Sequence, residues 1–349
     1  MCVLRAQGDG GSSEAEEKAE RQSWVHADII FETTVSMPGI NHRYLWAAVM
    51  AVLLACVADA QTAPEVNPQS AQMDGYEAVL KNNPEDAAAR KGEVETGIAE
   101  ALAARKTGQN DLALAYLLRA KYWVPDDAEL LRDTGVQEEA MKLYRDADDT
   151  LAQAQKLQPD DLKTLYAVAR VKMDLGQMQA SEEAWKQYLV LRPDDASAHY
   201  GYGVLLQMLQ RRDEARAQFQ KSVELAPDQS ESYYRLGEIA REAGDALQAK
   251  QFYEKAIAHG PAHAGAWTGL GILAFQAKRY QDAEVDFEKA VQYAPDFQTA
   301  RYYHGLTLAK LGRKEESTKE MAVAVQLADE QNAHNGQSRR LSDQPYRPQ

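Results

Sequence analysis

Several residues along the chain have types and spacings that suit chemistry. Gly269, Gly271 and Ala274 spell G-x-G-x-x-A, the spacing by which a strand-to-helix turn brings backbone amides up to a pyrophosphate. His259 and His263 stand at H-x3-H, a metal-ligand spacing. Arg339-Arg340-Leu341-Ser342 is a basic, kinase-type phosphorylation sequence. Paired acids recur at Asp126-Asp127, Asp160-Asp161 and Asp194-Asp195. Each has a plainer reading. The glycines lie inside a helical apolar pattern with no preceding strand, so Gly271 reads as a packing residue. The two histidines straddle the turn at Pro261 with no third ligand spaced nearby, which predicts two surface histidines. The acid pairs follow prolines at helix starts, where negative charge complements the helix dipole. The seven histidines form no nucleophile–base constellation. No catalytic residue, cofactor or metal is expected.

The elements that hold these residues are set by a period. Pro125, Pro159, Pro193, Pro227, Pro261 and Pro295 stand 34 residues apart. Counting each unit so that its proline is residue 32, residue 8 is Ala101, Gly135, Ala169, Gly203, Gly237, Gly271 and Gly305. Residue 20 is Ala113, Ala147, Ser181, Ala215, Ala249, Ala283 and Ser317, again small throughout. Residue 24 is Leu117, Leu151, Trp185, Phe219, Tyr253, Phe287 and Met321, all large. Small residues let two helix axes approach, and the large one fills the space beside them. Gly108, Gly176, Gly244 and Gly312 mark a break between the two helices, and each proline stops the second helix. A period in this range predicts a solenoid, whose long open surface suits binding better than catalysis.

Trp267, Leu270, Gly271, Ala283, Phe287, Ala290 and Pro295 match the pattern W-x2-L-G-x2-Y, A-x3-F, P of the tetratricopeptide repeat, which this chain resembles. The unit from Ser230 offers Tyr233, Leu236, Gly237, Ala249, Tyr253, Ala256 and Pro261. Seven units run over residues 94–331. Two depart from the pattern: the unit from Leu162 carries Trp185 and Tyr188, and the last has Asp329 in place of proline, so its helix is expected to run on. The resemblance implies an all-α, right-handed α-solenoid of helix–turn–helix units. It also implies a concave groove lined from the first helices. On that basis the expected ligand-groove residues are Arg132, Lys163, Tyr166, Arg170, Tyr200, Gln207, Tyr234, Arg235, Arg241, Tyr302 and Tyr303. Thr268 stands at the place equivalent to the tyrosines, and the paired Asn and Lys of the chaperone-binding carboxylate clamp are missing. Tyrosine and arginine are the residue types that carry binding energy at protein interfaces.

The first unit is longer than the rest. Pro84 precedes Pro125 by 41 residues, and the excess of seven falls before Gly108. Seven residues add about two helical turns and nearly restore the facing direction. One long helix over 86–106 is therefore predicted, preceded by a lone second helix over 73–82 that covers the solenoid's end.

Residues 1–36 are polar and carry no core pattern. From Met37 the sequence changes to His42 and Arg43, the apolar run Tyr44–Val57, then Ala58-Asp59-Ala60. That run is short for a membrane span and suits a signal peptide over 37–60, with translation starting at Met37. The alternative is a cytosolic extension before a short anchor. Cleavage after Ala60 releases Gln61. Leu53-Leu54-Ala55-Cys56 also resembles the lipobox of bacterial lipoproteins, which makes Cys56 a possible lipidation site. Residues 61–72 then form a linker, 73–331 the solenoid and 332–349 a disordered tail. The expected location is the periplasm or the outer membrane, with a lipid anchor at Cys56 as the one membrane contact.

The net charge is −14, and removing residues 1–60 leaves −10. This argues against a nucleic-acid partner, whose readers carry basic faces, and against an anionic membrane surface. The two cysteines, Cys2 and Cys56, lie outside the repeats, so neither a disulfide nor a cysteine metal site supports the fold. The function predicted from these features is non-catalytic binding of a protein or peptide in the bacterial envelope. The alternatives are an outer-membrane lipoprotein assisting assembly of an envelope or pilus machine, and a subunit of an enzyme complex.

Overall fold

The computed structural model describes residues 68–342, with side chains as far as residue 332. The predicted signal peptide, its cleavage sites, Cys56 and most of the linker lie outside the described residues.

Fifteen helices follow one another, with no strand among the described residues. A lone helix, α1 (Ala71–Leu80), precedes seven helix pairs. The first helices of the pairs are α2 (Ala87–Lys106), α4 (Ala128–Ala140), α6 (Leu162–Asp174), α8 (Ala196–Met208), α10 (Ser230–Glu242), α12 (Ala264–Gln276) and α14 (Gln298–Lys310). The second helices are α3 (Asn110–Trp123), α5 (Tyr144–Leu157), α7 (Met178–Leu191), α9 (Arg212–Leu225), α11 (Ala246–His259), α13 (Tyr280–Tyr293) and α15 (Lys314–Ser342). The long first helix and the lone preceding one stand where the seven-residue excess places them. With no proline to stop it, α15 runs on through Asp329 to Ser342, into the stretch expected to be disordered.

The small and large positions meet as their spacing implies. A Cβ added to Gly135 would lie 2.6 Å from Leu151, one on Gly203 2.7 Å from Phe219, and one on Gly271 2.6 Å from Phe287. Residue 8 of a unit therefore touches residue 24 of the same unit. Where residue 20 is serine its hydroxyl is used: Ser181 donates to the Ala169 carbonyl at 2.6 Å and Ser317 to the Gly305 carbonyl at 2.8 Å. These bonds satisfy a buried hydroxyl without widening the contact.

The turn inside each pair needs one residue at positive φ. Gly108, Gly176, Gly244 and Gly312 take φ of 75°, 73°, 82° and 84°, and Lys142, Gln210 and Lys278 hold the same place at 63°, 60° and 60°. Aspartates open the early units. The side chains of Asp86, Asp127, Asp161 and Asp195 accept backbone N–H bonds at the starts of α2, α4, α6 and α8. The dipole account of the acid pairs is thus incomplete. One member caps the helix directly, and members of either kind have further partners: Arg90 bonds Asp126, and the Tyr188 hydroxyl donates to the capping Asp195 at 2.6 Å.

Within the solenoid, first helices of successive units touch each other, as in α2–α4, α4–α6, α6–α8, α10–α12 and α12–α14. Second helices from α3 onward pack on the first helix of the next unit, not closely on one another. Helices that approach on one side and spread on the other make the first-helix side the inner face. At the N-terminal end, Arg119 of α3 ties down α1 through Glu77 at 2.6 Å, Asp74 and the Pro68 carbonyl at 2.6 Å.

Candidate functional site: the inner face of the first helices

The residue-5 tyrosines occupy equivalent places on successive first helices, and each leans on its own unit's residue 24. Tyr166 meets Trp185 edge-on at 5.0 Å, Tyr200 lies 5.8 Å from Phe219, and Tyr234 lies 6.3 Å from Tyr253. Each ring is half-buried, with one edge left for the inner face. Burial pushes the Tyr166 and Tyr200 phenols up and the Tyr234 phenol to about 12, so all three stay neutral donors near physiological pH. For Tyr166 and Tyr234 the backing ring also presses on a glycine at residue 6 of the next unit. A Cβ on Gly201 would lie 2.6 Å from Trp185, and one on Gly269 2.4 Å from Tyr253. Tyr302 is 42% exposed, whereas its neighbour Tyr303 stacks on Phe287 at 6.0 Å and so belongs to the packing.

The arginines of this face are paired. Arg170 meets Glu139 at 2.8 Å, Arg235 meets Glu231 at 3.2 Å and Arg241 meets Glu238 at 2.8 Å. Arg132 is buried, tied to Glu129 at 2.9 Å and Asp133 at 3.0 Å, and lies 3.7 Å from Asp161, which caps the first helix of the next unit. Gln207 is half-buried on α8 and Lys163 exposed on α6.

Glu231 joins two units and the cap of a third. Its carboxylate accepts from Tyr200 of the preceding unit at 3.4 Å, pairs with Arg235 of its own, and meets at 3.0 Å the Nε2 of His263, which caps the first helix of the next. The hydrogen bond to His263, followed by the opposing effect of burial, holds its carboxyl below the usual range. His263 itself corrects the sequence reading. It is not a free surface histidine: its Nδ1 accepts the Ala266 N–H at 3.1 Å and caps α12, and its ring lies 4.8 Å from Tyr234. Nδ1 as acceptor leaves the neutral ring's proton on Nε2, where it donates to Glu231. His259 is exposed and stacks on Tyr233 at 5.5 Å.

An open cleft of about 690 Å³ lies over α4, α6 and α7. It brings Lys163, Tyr166 and Arg170 together with Val136, Glu139, Tyr188 and Arg192. Tyr188 stands at residue 27, where the other units carry Ala or Ser, so the departure seen in the sequence lies on the cleft wall. Among the described residues, neither Lys163 nor Arg192 forms an ion pair with a carboxylate.

Sequence reasoning missed Glu139, Glu231, Tyr188 and Arg192. For the acids the signal was present: Arg170 and Glu139, like Tyr200 and Glu231, are 31 residues apart, one period less one short helical step. That step places side chains of adjacent first helices opposite each other.

Helix pairs of this spacing, packed through small residues and stacked first helix to first helix, define an α-solenoid of helix–turn–helix repeats. Tetratricopeptide repeat models match residues 194–261 and 234–292. The fold is shared with a tetratricopeptide repeat protein from Parabacteroides merdae, at TM-score 0.56 and 18% identity over 67% of this chain and 93% of that one. It is also shared with Pseudomonas aeruginosa pilF, at TM-score 0.54 and 15% identity over 62% of this chain and 99% of that one. No curated protein matches the sequence. Residues 194–292 thus carry tetratricopeptide repeats, and the solved neighbours share the fold.

Proposed function

We propose that this protein is a non-catalytic scaffold that binds a protein or peptide along the inner face of its first helices. The single observation that carries this reading is the cleft over α4, α6 and α7, which Tyr166 lines together with Lys163, Arg170 and Arg192 and the acids Glu139, Asp160 and Asp161. An aromatic edge offers apolar area with little loss of side-chain entropy, and flanking cations give direction. The ligand class is an extended peptide with an acidic side chain. The tyrosine row over Tyr200 and Tyr234 extends the surface beyond the cleft. Enzyme chemistry has no support here, because the strongly shifted acids lie in helix contacts.

Action in the bacterial envelope, with export by the segment 37–60, rests on the sequence alone. The Cys56 lipobox favours a second version of this reading, a lipoprotein that assists assembly of an envelope or pilus machine. Peptides selected from a display library against the immobilised chain test the groove. Lys163→Glu, at an exposed site, should weaken the selected peptides by about tenfold or more while the far-UV spectrum stays the same. Equal affinity for the variant rejects the inner-face site.

A further inference from the structure

Residue 7 of each unit is an interior place between helices, filled by Thr134, Val168, Tyr202, Leu236 and Leu270 in the second to sixth units. In the seventh it is His304, which is 8% exposed. Both ring nitrogens are buried and neither has a hydrogen-bond partner. A buried imidazole with two orphaned nitrogens is costly, and such a group calls for an explanation. Here the surroundings supply one. Glu284 and Glu288 lie four residues apart on α13, and their carboxylates, with a His304 nitrogen, bring three ligand atoms within 4.8 Å of one another.

We propose that Glu284, Glu288 and His304 form a binding site for a divalent transition-metal ion of the zinc type, joining the sixth and seventh repeats.

The donor set selects the metal. An imidazole nitrogen with two carboxylates suits zinc and its neighbours and disfavours calcium and magnesium, which take oxygen ligands. Ligand atoms around a tetrahedral zinc ion stand about 3.3 Å apart, so small side-chain rotations close the set. Three protein ligands leave one position for water. Glu288 is exposed, so the ion has a way in from solvent. Glu320 of α15 lies 3.9 Å from His304 Nδ1, beyond hydrogen-bond reach, and is held by Arg301 at 2.9 Å. Arg313 bonds one oxygen of Glu284, and the carboxylate has a second to offer. A bound ion would therefore fasten α13 to α14, with α15 behind them.

The test uses the full chain without an affinity tag, stripped with a chelator and titrated with zinc chloride by calorimetry near pH 7. One equivalent should bind, and the thermal midpoint should rise with zinc. Glu288→Gln changes only an exposed side chain and should weaken binding by about tenfold or more. His304→Leu restores the residue type found in the fifth and sixth units, so it should fold and bind no zinc at this place. A wild type that takes up no zinc overturns the proposal. So does either variant that binds zinc as the wild type does, since the ion then sits elsewhere.

Discussion

Gly237 faces the ring of Tyr253, and an added Cβ would lie 2.5 Å from it. That ring is fully buried and its hydroxyl is bonded to Glu238, so it has no room to retreat. Gly237→Ala should cost about 1–3 kcal/mol, read as a shift of the urea midpoint, whereas Glu242→Ala on the exposed side should stay within about 0.5 kcal/mol. A second residue has a pH signature. Glu93 of α2 is fully buried, and neither carboxylate oxygen has a hydrogen-bond partner. Burial first, and the nearby Glu77 second, raise it to about 7 from the usual 4.5. An acid raised in the folded state costs nothing below its unfolded pKa and destabilises progressively as pH climbs from there to the folded value. Glu93→Gln should therefore match the wild type near pH 4 and exceed it by about 1–3 kcal/mol above pH 7. Urea midpoints at the two pH values check it. Nothing in the sequence marks Glu93, because the repeat pattern says only that a face is inward, not which acid loses its water there.

The turns inside the helix pairs differ in how well their residues suit positive φ. Gly244 has open space where a Cβ would go, so Gly244→Ala meets only backbone strain and should cost about 1–2 kcal/mol. Lys278 already bears such strain at φ 60°, and Lys278→Gly should gain up to about 1 kcal/mol. Thermal midpoints of the two variants should move in opposite directions. The helix at the N-terminal end depends on one side chain. Arg119→Ala removes three bonds to α1 and its approach, so amide exchange should quicken in residues 71–80 while the later units keep their protection. Helix order, the long α2 and the run-on of α15 were legible because each follows from counting against the period. The caps were only half legible. Asp127, Asp161 and Asp195 advertise themselves, but His263 takes over the task with a ring nitrogen, and histidine is not an expected cap.

Across the whole molecule, each unit meets chiefly its neighbours, so substitutions in distant units should add in their effect on stability. The solenoid was readable from the sequence because seven copies repeat one set of spacings, and noise at any one site averages out. The inner face was less readable. Its tyrosines follow the period, but their partners come from the adjoining unit, and Glu139 or Glu231 gains meaning only once two first helices lie side by side. The same pairing governs how a ligand is received. Arg170 already holds Glu139, and Glu139 is almost wholly buried. A carboxylate arriving at Arg170 must displace an internal rival rather than fill a vacancy. Seating it is an exchange of counter-ions with little net gain of charge, so discrimination at this point falls to shape and reach. Lys163 and Arg192 hold no ion pair among the described residues, so an arriving acid adds attraction there, against the Asp160 and Asp161 carboxylates that line the same cleft. Ionic strength would then govern that end of the groove, while the stretch around Tyr200 and Tyr234 would be almost indifferent to salt.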